Sequence, residues 1–160
     1  MLYLNIFIIF SFLGFFLESF VYKISCSNRH SGALYGPYTL VYGIGFSLSF
    51  YIYNMLNLSS NVINNFIYYF LFCFISTLTE LVCGYLINYI FKKDMWNYSS
   101  YKYHFTKYTC LKYFFVWGLF CTLIIKFFNK LFYINISSTY TFIILFIILI
   151  DIILSYKKSR

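Results

Sequence analysis

Glu18 and Glu80 are the residues with the clearest chemical potential, because each lies inside an apolar run long enough to cross a bilayer. A carboxylate in hydrocarbon is costly, and by default it marks a proton, cation or substrate site. A third acid in an apolar run, Asp151, stands six residues before Lys157, about 9 Å of helix. That reach lets it meet the membrane interface or the basic tail, so Asp151 reads as interfacial. Glu80 precedes Lys92 by twelve residues, about 18 Å of helix and comparable with half the hydrocarbon thickness. At 100° per residue Cys73, Thr77, Glu80, Gly84 and Asn88 share a stripe about 80° wide. Ser11, Gly14 and Glu18 repeat the idea at spacing i, i+3, i+7. Small residues permit close helix approach in membranes, so the simplest arrangement packs the first and third spans along Gly14, Thr77 and Gly84. Both acids then enter one bundle interior. The competing reading is a helix contact satisfied by polar groups.

Between these acids lies Asn28 to Gly45, which holds four of the seven glycines and the single proline. Gly36-Pro37 reads as a turn into a helix, with Pro37 at or near the first helical position, where its missing N–H is harmless. The N–H groups freed at that helix start favour an anion, either Glu18 or a substrate group, with Arg29 nearby. Gly43 and Gly45, beside Tyr42, are placed to loosen the next turns as in the broken helices of transporters. A tight loop with a closely packed helix start is the alternative. Gly43-Ile44-Gly45 follows no predicted strand and is no nucleotide fingerprint.

The elements that must position these residues are membrane spans. The 160-residue chain is 62% hydrophobic and 10% charged, with a mean hydropathy of +0.76, against roughly 25% charged in soluble domains. Five runs approach the ~20 residues that a crossing needs, at about 2–22, 38–56, 63–91, 111–128 and 134–156. The predicted fold is therefore an all-α polytopic bundle forming one integral membrane domain, 1–160, a size compatible with homo-oligomerisation. Five spans put ten of the twelve basic residues on one side and only Lys126 and Lys130 on the other. By the positive-inside rule the N-terminus is out and the C-terminus in. The net charge of +8 is thus topology and contact with membrane lipids, with no nucleic acid expected. Five cysteines without a Cys-x-x-Cys pair imply no disulfide framework. Cys26, His30, His104 and Cys110 share the inner side but lack a tight ligand pair, so no metal is expected.

The connection from Lys92 to Lys107 interleaves lysines with Trp96, Tyr98, Tyr101, Tyr103 and Phe105. Beside two spans this predicts interfacial anchoring by Trp96 and Tyr98, because Trp and Tyr gather at headgroup level and lysine meets anionic lipid. No nucleophile–base pair stands out, so catalysis within this chain is not expected.

Gly14-Phe-Phe-Leu-Glu18, Asn28-Arg29, Tyr35-Gly-Pro-Tyr38, Tyr42-Gly-Ile-Gly45, Thr77-Leu-Thr-Glu80, Trp96-Asn-Tyr-Ser99, Cys110-Leu111 and Trp117-Gly118 occur in this order. Jointly they resemble the CmpB-type family of putative ABC-transporter permeases, small bacterial membrane proteins, over about residues 11–129. Asn97 departs from an acidic position in that pattern, as does Asn88. Lys107-Tyr108 replaces a Gly-Arg pair, and Leu40 a second proline. The resemblance implies a multi-pass permease-like component of the bacterial cytoplasmic membrane. The sequence holds no Gly-x-x-x-x-Gly-Lys-Ser/Thr loop, so an ATPase subunit in trans is the implied partner and no cofactor is expected in this chain. A non-transporting scaffold or regulator is the alternative, and a membrane-embedded enzyme is a more distant one.

Overall fold

A computed structural model describes residues 1–24, 32–59, 61–133 and 137–159. Asn28 and Arg29 lie outside the described residues. Five helices carry the fold: α1 Leu2–Ile24, α2 Leu40–Leu56, α3 Val62–Phe91, α4 Leu111–Phe128 and α5 Ser138–Ser159. Four of them are long and apolar enough to cross a membrane, and α2 is the shorter, at 17 residues. At 1.5 Å per residue it spans only about 26 Å. A two-stranded hairpin, β1 His104–Thr106 and β2 Thr109–Cys110, precedes α4.

The helix ends follow from local chemistry. Asn61 caps α3 by accepting from the Asn64 N–H at 2.8 Å. Asn57 and Lys92 close α2 and α3 in the left-handed region, returning their N–H groups to Tyr53 and Asn88. Pro37 does not begin α2. Gly36 O accepts from the Tyr38 N–H across Pro37 at 2.9 Å, a three-residue turn that suits the fixed φ of proline. The helix starts three residues later, behind Thr39. Nor is α2 loosened at Gly43 and Gly45, since it runs unbroken through both.

The expected pairing of the first and third spans is replaced by two others: α1 packs chiefly on α2, and α3 on α4. Glycines explain the exchange. A methyl group on Gly14 would strike the Tyr42 ring, one on Gly43 would strike Ser11 and Phe7, and one on Gly118 would strike Cys73. Gly84, on the α3 stripe, lies against Tyr108 of the hairpin. Thr77 is only half-buried, and its hydroxyl has no hydrogen-bond partner. One core joins Ile6, Phe10, Phe46, Phe50, Phe72 and Ile125 of the four paired helices. A second, of Leu34, Tyr38, Phe91 and Ile148, fastens α5 across the 32–39 turn.

Candidate functional site

Both predicted acids open onto one cavity of about 570 Å³. Glu18, with Leu17 and Val21, comes from α1; Tyr42 and Gly45 from α2; Ser76, Thr79 and Glu80 from α3; and Tyr113, Val116 and Trp117 from α4. The connection after α3 adds Trp96 and Tyr98. At the other end Phe10 stacks on Phe46 with ring centroids 3.5 Å apart, and both rings form the cavity floor.

Glu80 is the most constrained residue in this space, at 9% exposed. Its Oε1 accepts from the Trp117 indole N–H at 2.7 Å and from the Tyr98 hydroxyl at 3.1 Å. Its Oε2 is buried without a hydrogen-bond partner. α2 packs on both α1 and α3 and brings Tyr42 into the cavity that Glu18 and Glu80 line. α2 therefore stands between the acids of α1 and α3, which is how they share a cavity although their helices pair elsewhere. Four rings continue the wall: Tyr42 meets Trp117 edge-on at 5.3 Å, Trp117 stacks with Tyr113 at 6.0 Å, and Tyr113 with Tyr98 at 4.7 Å.

The 92–110 connection folds back as a cover. Tyr98 N–H donates to Lys107 O at 2.7 Å, Leu111 N–H to Tyr103 O at 2.9 Å, and the Trp96 indole to Tyr108 O at 3.1 Å. The polar ends of Trp96 and Tyr98 thus turn inward, to Tyr108 and Glu80. Tyr108 is 1% exposed. Asp94 ties the cover to α3, accepting from the Tyr108 hydroxyl, from Lys107 Nζ at 3.1 Å and from Asn88 Nδ2 at 2.9 Å. The Tyr108 hydroxyl, and after it Lys107, holds the Asp94 carboxyl below its ordinary value.

Asp151 is not the interfacial group that the sequence suggests. It is 8% exposed and accepts from the N–H groups of Tyr35 at 3.2 Å and Gly36 at 2.8 Å, from the Tyr38 hydroxyl, and from Ser155 Oγ at 3.0 Å. Asp151 thus fills the N–H groups just before Pro37, while after it Tyr38 N–H donates to Gly36 O and Thr39 N–H to Ser11 O at 2.9 Å each. A partner more than a hundred residues away leaves no local signal; the only hint was an acid inside an apolar run.

A family model described as putative ABC-transporter type IV matches residues 5–156. No curated protein and no solved structure matches the chain. The chain belongs to this family of ABC-transporter-related membrane proteins, and the match extends beyond the 11–129 region that carries the sequence resemblance.

Proposed function

We propose, from this family membership, that the chain is a permease-like component of the bacterial cytoplasmic membrane. Its working site is the Glu18–Glu80 cavity, and a separate subunit supplies ATP hydrolysis. The observation that carries this reading is Glu80, a carboxylate nine-tenths buried on the wall of a cavity large enough for a small molecule. The implied ATPase partner follows from the family description together with the lack of a phosphate loop in this sequence. Placing the N-terminus outside brings the cavity mouth, the cover and the lysine-rich helix ends to the inner face. An ATPase would dock there.

The close glycine contacts favour one competing reading, a scaffold that transports nothing. Affinity purification of the full chain from its own host in mild detergent separates the two. The proposal predicts that an ATP-hydrolysing polypeptide co-elutes in fixed stoichiometry. Elution of the chain without ATP hydrolysis, or with a partner of unrelated activity, would overturn it.

A further inference from the structure

The four helices around the cavity pack in series and not as a closed ring. α1 packs on α2, α2 on α3 and α3 on α4, but α4 does not return to pack closely on α1. Both nevertheless line the cavity, α1 through Leu17 and Val21 and α4 through Val116 and Phe120. Leu17, Val21 and Val116 are exposed, so the seam between α1 and α4 is edged with hydrocarbon. The short helix Asn129–Tyr133 contacts α1 and α4 at one end of this seam, and the cover adds Met95 and Trp96 to the wall at the other. α5, which packs on α1 and α3, contributes no described residue to the wall. Because α1 and α4 are both long and apolar enough to cross a membrane, the seam between them meets the acyl chains of the bilayer.

The wall is graded along the helix axes. On α1 its residues run from Phe10 to Tyr22, twelve positions and about 18 Å of helix. The Phe10 end adds Phe46 and Phe120, whereas the other end adds Glu18, Glu80, Tyr98 and Asn97. Polar groups of the wall are engaged within the protein: Glu80 Oε1 by Trp117 and Tyr98, Thr79 Oγ1 with Ile75 O at 2.8 Å, and the Trp96 indole with Tyr108 O. Ring and aliphatic surface is left to meet an occupant, and that surface favours hydrocarbon. The volume of about 570 Å³ lies within the ~300–1,000 Å³ of small-ligand sites.

We propose that the cavity holds an acyl chain of a membrane phospholipid, admitted sideways through the seam between α1 and α4. The chain lies along α1 with its methyl end toward Phe10, Phe46 and Phe120, and the headgroup stays at the end that carries the cover. The inference names a substrate class for the cavity and rests on the reading that this cavity is the working site. It does not require ATP coupling.

The test uses the full chain in nanodiscs that contain phosphatidylcholine with a photoreactive diazirine near the end of one acyl chain. Phe46 and Cys121 line the cavity but are only 3% and 5% exposed, so lipid outside the bundle does not reach them. Phe146 of α5 is 62% exposed and reports that outer lipid. After irradiation, mass spectrometry of the digested protein is expected to find label at Phe46 or Cys121 as well as at Phe146. Leu17→Trp combined with Val116→Trp fills the seam at two exposed positions, and should abolish the buried label while leaving that at Phe146. Wild-type label confined to exposed residues such as Phe146 overturns the proposal whatever the variant does. Buried label that persists in the folded double variant overturns it too, because the chain then enters by another route. Label at Phe46 and Cys121 from a photoreactive free fatty acid, with none from the phospholipid, overturns the assignment to phospholipid. Buried label in a chain that recruits no ATPase would leave this site standing and remove the permease reading. An ATP-coupled complex without buried label would do the reverse.

Discussion

Glu80 and Asp94 are both acids at the same end of the bundle, yet they hold opposite kinds of position. Glu80 has two donors on one oxygen and none on the other, an arrangement that suits a ligand better than a structural tie. Glu80→Gln keeps an acceptor for Trp117 and Tyr98, so the thermal midpoint in detergent should stay near that of the wild type. Trp117→Phe removes a donor to a buried charge and should cost about 1.5–3 kcal/mol by the same measurement. Asp94 is a tie. Its folded-state pKa lies below its ordinary 3.8, so its contribution is present above that value and is lost as pH falls through the lower folded-state pKa. Below about pH 4 the cover should loosen, read as a change in Trp96 emission. In Asp94→Asn that pH step should be missing.

The helices make separate predictions through their glycines. A Cβ on Gly118 would lie 3.0 Å from Cys73 N and 3.1 Å from its Cα, with Sγ closer still. Gly118→Ala must push α4 off α3 and should cost about 1–3 kcal/mol. A Cβ on Gly45 meets Thr79 no closer than 3.6 Å. Gly45→Ala should therefore be neutral or stabilising by up to about 1 kcal/mol. Melting curves of the two proteins in one detergent compare them directly. Asp151→Ala strips the Tyr35–Gly36 turn of its acceptor and should cost about 2 kcal/mol or more, seen as faster proteolysis near the start of α2. These contacts also mark the limit of what was legible in the sequence. Apolar run lengths place every helix to within a few residues, and helical spacing aims Glu18 and Glu80 inward. The partners of the small residues are not encoded locally: Gly14 takes Tyr42 from α2 and Gly84 takes Tyr108 from the cover, so a stripe on α1 and a stripe on α3 need not meet. The place of Trp96 and Tyr98 in the cavity wall was illegible for a related reason, since aromatic rings beside a span suit a lipid interface and a cavity wall equally.

For the molecule as a whole, the cavity is lined by Glu18, Glu80 and the cover and also by the stacked Phe10–Phe46 pair, which Phe132 meets edge-on. A passage through the bundle would have to separate those rings, whereas a lateral exit past Leu17 and Val116 would not. α5 joins the assembly through a buried Thr141–Asn5 hydrogen bond of 2.6 Å and the Asp151 clamp, holding the 32–39 turn while α1 to α4 form the cavity. The central claim is that Glu80 works as part of an ATP-coupled site rather than as a packing residue. The most direct measurement is ATP hydrolysis by the purified assembly of the full chain with the ATPase that the proposed function requires, wild type against Glu80→Gln, at matched yields of intact complex. The account predicts that hydrolysis in the Glu80→Gln assembly falls to the level of the ATPase alone while the complex persists. Hydrolysis equal to that of the wild type would contradict it.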